Sequence, residues 1–168
     1  MKRTYLLLLG FGLYLGLQAG GVAWSQVTER VSVDSAGNEG DNASAAPSTS
    51  FDGRYVAFES IATNLLGVGN DNNGFSDVFV HDLQTGAATR VSVDSAGAEG
   101  DNSSNFPSIS SDGRYVAFVS DATNLVANDT NTSTDVFVHD RDADGNGTYD
   151  ELGPGGVSTV RVSVATGG

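Results

Sequence analysis

Beyond residue 26 the apolar positions fall in short runs, separated by stretches rich in Asp, Asn, Ser and Gly. Residues 55–58 (YVAF) and 115–119 (YVAFV) are nearly continuous apolar runs, each one residue after an Asp-Gly pair. That pattern suits a strand entered by a tight turn and covered on both faces. DVFVHD, at 77–82 and again at 135–140, predicts another strand. In TRVSVD, residues 89–94, Val91 and Val93 alternate with Arg90 and Ser92, which predicts a half-exposed strand. APSTS (46–50) and FPSIS (106–110) carry a proline near the strand start, where a missing amide hydrogen is tolerated. No stretch of this part sustains a helical period.

These runs recur in a fixed order. RVSVDSAG occurs at 30–37 and 90–97, and DGRYVAF occurs at 52–58 and 112–118, so both repeat at one and the same offset. DVFVHD returns at nearly that offset, and RVSV appears a third time at 161–164. A period this long means supersecondary units that bury their apolar faces only by stacking. Four antiparallel strands repeated in this way describe β-propeller blades. PSTSFDGRYVAFES and PSISSDGRYVAFVSDATNLV, each followed by DVFVHD, resemble the WD-like repeats of TolB-type propellers over essentially the whole chain after residue 25. The resemblance implies a propeller fold, and a binding platform more often than an enzyme.

The expected fold class is therefore all-β: a partial β-propeller of two four-stranded antiparallel blades plus an orphan N-terminal outer strand. Residues 1–25 read as a signal peptide, 26–45 as the orphan strand (Thr28 to Asp34) and its loop, 46–105 as blade 1 with its following loop, and 106–168 as blade 2. Two blades fall short of the roughly four to eight that close a propeller. The chain is then either truncated or closed by self-association through open blade faces, with a two-sheet sandwich as a third option.

The segment 1–25 combines Lys2 and Arg3, an apolar run from Leu6 to Leu17, and the small residues Ala23 and Ser25. This is a secretory signal with cleavage expected after Ser25, and it places the mature chain in the periplasm or outside the cell, with no membrane span. Cleavage leaves six basic against 21 acidic groups, a formal charge of −15. Such a surface repels nucleic acid and favours cations. Without cysteine, stability rests on packing or bound ions.

The candidate chemistry lies in one loop. DRDADGNGTYDE, Asp140 to Glu151, places oxygens as a calcium loop of the EF-hand type does: Asp140, Asp142, Asp144, the Asn146 carbonyl, Thr148 and Glu151, with Gly145 at the turn. Over this segment alone it resembles the calcium loops of EF-hand, dockerin and thrombospondin-type repeats. Gly147 replaces the usual aliphatic anchor, and strands flank the loop, so an EF-hand domain is excluded. A register from Asp142 through Asp144, Asn146 and Asp150 also supplies oxygens. Comparison of the repeats identifies the segment as an insertion into an ordinary turn, because Asp140 to Arg161 stands where the first repeat has only DLQTGAATR at 82–90. The alternation Asp129, Asn131, Ser133, Asp135 is a weaker cation candidate, because these residues favour turns by bonding their own backbone.

No G-x-S-x-G motif is present. His81 and His139 recur at one strand position and read as packing residues, and Arg54 and Arg114 as turn partners of Asp52 and Asp112. The expected function is a secreted, noncatalytic scaffold that binds calcium and presents polar loops to a protein or glycan. The alternatives are the N-terminal part of a propeller hydrolase or lyase with catalytic residues beyond Gly168, and a structural element of a cell-surface array.

Overall fold

The computed structural model describes residues 28–164; the signal peptide expected at 1–25 lies outside the described residues. Eight strands form two four-stranded antiparallel sheets, each ordered as in sequence. Sheet one contains β1 (Ser44–Thr49), β2 (Tyr55–Ser60), β3 (Asp77–Asp82) and β4 (Ala88–Arg90). Sheet two repeats it with β5 (Ser104–Ile109), β6 (Tyr115–Ser120), β7 (Asp135–Asp140) and β8 (Ser158–Arg161). The registers coincide: Phe58 faces Phe79 and Val56 faces His81, as Phe118 faces Phe137 and Val116 faces His139. The expected all-β fold of two four-stranded units is what forms.

The prolines mark a bulge. Pairing of β1 with β2 slips between Ala45 and Ser48, and that of β5 with β6 between Asn105 and Ser108. Ala46 and Phe106 there take positive φ, 48° and 54°. Pro47 and Pro107 have no amide hydrogen to lose where the ladder is interrupted.

Sheet two lies against sheet one through its first strand, with β5 touching β1, β2 and β3. The resulting core unites Tyr55, Ala57, Val78, Val80 and Val91 with Val116, Phe118, Ala122, Leu125 and Phe137. Every residue of β3 is buried, whereas β7 alternates between buried and less buried positions, because no further sheet of the described residues packs on its far side. A second cluster, Phe58, Ala62, Leu65 and Phe79, is covered by Val31 and Leu66.

The fourth strand differs from expectation. It stops at Arg90, and Val91, Ser92 and Val93 leave the ladder fully buried instead of half exposed. Val91 donates its amide to Val78 O, and Ser92 Oγ donates to Asp77 Oδ1 while accepting the Val78 amide. RVSV therefore closes one blade and leads into the next. Residues 30–40 take the conformation of 90–100: each segment has one bridge, Val33 to Glu39 and Val93 to Glu99, and an Asp carboxylate that caps two following amides. Among the described residues, 28–34 forms no named strand.

Candidate functional site

All six arginines of the described chain are ion-paired. Two pairs repeat. Arg54 donates twice to Asp82, at 2.9 and 2.7 Å, and Arg114 donates twice to Asp140, at 2.7 and 2.8 Å. These forks clamp the start of the second strand of each blade to the end of the third, and they hold the Asp82 and Asp140 carboxyls below the usual carboxylate range. The guanidinium of Arg54 thus serves Asp82, while Asp52 accepts the Ser50 hydroxyl and the Arg54 backbone amide. The second repeated pair joins Arg90 to Asp77 and Arg161 to Asp135.

Asp140, the first expected calcium ligand, is therefore also half of a repeated structural fork. The other expected ligands lie nearer the hairpin tip, where no three of the insertion's carboxylates converge to within 4.8 Å. Asp142 is buried and accepts the Gly147 amide at 3.2–3.3 Å. The Asn146 side-chain amide donates to Asp144 Oδ2 at 3.0 Å and Glu151 Oε2 at 2.6 Å, and the Thr148 amide returns to Asn146 Oδ1 at 2.7 Å. Asp150 turns away, paired through both oxygens with buried Arg141.

Arg141 ties the insertion to residues beyond its own hairpin. Its guanidinium lies 4.7 Å from the Tyr55 ring centre and 5.0 Å from that of Tyr149, and it donates to Gly113 O at 2.8 Å. The two tyrosine rings are 5.5 Å apart. The insertion thus spans both blades and, with Arg54, Asp82, Thr85 and Thr89, walls a cleft of about 490 Å³.

At the opposite end the long loops clasp one another. Asp101 accepts the Thr123 amide and hydroxyl, while Asn124 accepts the Asp101 amide and donates to Glu99 O. Asp41, Thr63, Asn64 and Glu39 repeat the arrangement in blade 1. Here, among the described residues, one group of three carboxylates converges to within 4.8 Å: Asp71, Asp77 and Glu99. Arg90 stands among them, bonded to Asp77 and Glu99. Burial pushes Asp77 up to about 6, with the Ser92 hydroxyl and Arg90 opposing the rise only in part. Sequence reasoning missed this group because Asp71, Asp77 and Glu99 lie in three separate segments. The recurrence of Asp before VFVHD and of Arg before VSV was its visible trace. In blade 2, Arg161 bridges Asp129 and Asp135, so a fixed cation already fills the weaker candidate.

Both histidines are buried. His139 Nδ1 lies 2.9 Å from Thr159 Oγ1, and burial brings the imidazole down to about 4. His81 is also lowered by burial, and its Nδ1 has no partner among the described residues, because Ala88 stands opposite it where Thr159 stands in blade 2.

The described chain is thus an all-β protein of two consecutive four-stranded antiparallel units, with no helix long and apolar enough to cross a membrane among the described residues. No family model and no curated protein matches it. Among solved structures it is similar to "Crystal structure of TolB from Acinetobacter baumannii", with 21% identity and a TM-score of 0.37. The match covers 72% of this chain and 21% of that one, so the chain spans about a fifth of that structure's length.

Proposed function

We propose that this chain is an exported, noncatalytic interaction scaffold of two propeller-type blades that binds calcium in its insertion and offers polar loops to a protein or glycan partner. The observation that carries the reading is the repeated blade itself, with its polar groups turned inward on structure. Both histidines are buried within their strands, and the six arginines of the described residues are all paired with carboxylates. The calcium assignment rests on Asp142, Asp144, Asn146, Thr148 and Glu151 at the hairpin tip, with Asp140 contributing from its fork with Arg114. Hard oxygen ligands in an acidic, extracellular setting suit an affinity of about 10⁻⁴ to 10⁻³ M.

Calorimetric titration with calcium tests this reading. Heat of binding in that range, together with a raised melting temperature that Asp142→Ala abolishes, is the expected result. The absence of heat at millimolar calcium, with an unchanged melting temperature, would remove calcium from the account.

A further inference from the structure

The joint between the blades has a knob and a hole. Tyr55, 8% exposed, covers Gly113, where an added Cβ would come within 2.2 Å of the Tyr55 ring. Beside it the Ile109 amide donates to Ser48 Oγ at 3.2 Å, and the Phe51 amide donates to Ser111 O at 2.9 Å. The repeat supplies the same knob and hole once more, unmated. Tyr115, in the place of Tyr55, is 41% exposed, and Val136, in the place of fully buried Val78, is 39% exposed. Gly53, in the place of Gly113, is exposed, and apart from its chain neighbours no described residue lies within 4 Å of where its Cβ would stand.

We propose that the open face of blade 2 docks a second copy of this chain, head to tail, with Tyr115 of one copy seated over Gly53 of the next. The proposal rests on reading the two sheets as consecutive blades. Continuity with the internal joint selects the occupant: the residues left open on blade 2 are the counterparts of those that blade 1 buries, and blade 1 carries the matching hole. The outer joint is weaker than the inner one. Glu59, which accepts the Phe106 amide across the inner joint, is replaced by Val119 in blade 2. Two RVSV segments also compete for one place: residues 161–163 already bond Val136 and Asp135, so residues 30–32 of the incoming copy are displaced. Copies of this acidic chain repel one another, and added salt strengthens their association by screening. A head-to-tail contact closes into a ring when its rotation permits. At roughly four to eight blades per propeller, that ring takes about two to four copies.

The test is native mass spectrometry of the full chain, in the form its host accumulates, with two variants. Tyr115→Glu spoils the knob. Gly53→Asn fills the hole with a residue that tolerates the positive φ of 73°. The wild type is expected to associate with concentration and salt, each variant alone to stay monomeric, and an equimolar mixture to form a one-to-one dimer, since each variant keeps one intact face. Val136→Glu replaces Tyr115→Glu if the latter does not fold. A wild type that stays monomeric at every concentration, or a Gly53→Asn variant that associates like the wild type, overturns the proposal. Gly113→Asn separates the two levels of the argument. If it leaves the melting temperature unchanged, the blade reading itself fails; if it lowers it while the wild type stays monomeric, only the assembly fails.

Discussion

Replacing Ala88 by threonine gives blade 1 the hydroxyl that blade 2 already has. In blade 2, Thr159 Oγ1 donates its only proton to Val93 O, so His139 Nδ1 must carry hydrogen and donate to Oγ1. The contact fixes the neutral Nδ1–H tautomer inside the sheet. In blade 1 the same frame is present, with the Ser35 hydroxyl accepting the Ala88 amide as Ser95 accepts that of Thr159. Only the hydroxyl is missing, and buried His81 Nδ1 is left unpaired. Satisfying it contributes about 1 kcal/mol. For a chain of this size that raises Tm by roughly 2–4 °C. The reverse change, Thr159→Ala, removes both bonds and orphans His139 Nδ1 at 1% exposure, costing about 3 kcal/mol. Thermal unfolding of the wild type, Ala88→Thr, Ala88→Val and Thr159→Ala decides the matter. Valine supplies the methyls and the strand preference without the hydroxyl, so a valine variant as stable as the threonine variant would refute the hydrogen-bond argument. A Thr159→Ala variant as stable as the wild type would refute it from the other side.

Two buried groups contribute to the acid response with opposite sign. His139 has a folded value near 4 against 6.5 when unfolded, so its contribution is intact above pH 6.5 and falls by about 3 kcal/mol as pH drops to 4. Asp77, raised to about 6 from 3.8, works the other way, losing stability as pH rises from 3.8 to 6. In urea unfolding across pH 4–7, His139→Gln is expected to reduce the decline at low pH, leaving the part that His81 contributes, and Asp77→Asn to steepen it; identical profiles for the wild type and both variants would contradict the assignment. Arg114→Met breaks the fork to Asp140 and leaves that carboxylate partly buried without its cation, a loss of roughly 1–3 kcal/mol by denaturant midpoint. Tyr149→Ala removes a ring that touches both Tyr55 and Arg141 and is expected to lower Tm while leaving far-ultraviolet circular dichroism unchanged, because it loosens the joint without removing a strand.

The strands were legible because the pattern was written twice: DGRYVAF and DVFVHD mark β2, β3, β6 and β7 in both copies, and the Asp-Gly turns before β2 and β6 form as expected. Exposure was legible for only one copy. The same sequence, DVFVHD, is fully buried in β3 and alternates in β7, since burial depends on a neighbour that the local pattern does not encode. The RVSV segment misled for a related reason. Its alternation is real, but Val91 and Ser92 serve two blades at once and are covered from both sides. In the insertion, the spacing of acids was visible, but their partners were not. Asp140 is committed to Arg114 from the preceding hairpin and Asp150 to Arg141, pairings set by the fold. The knob at Tyr55 and its hole at Gly113 belong to different repeats and could be matched only once the blades were stacked.

Sedimentation velocity of the purified chain over a wide concentration range tests the central claim, an open blade face completed by further copies, most directly. The account predicts a weight-average mass that climbs with concentration toward a small closed multiple of the chain, and climbs further in added salt. A single species at the mass of one chain throughout would contradict it.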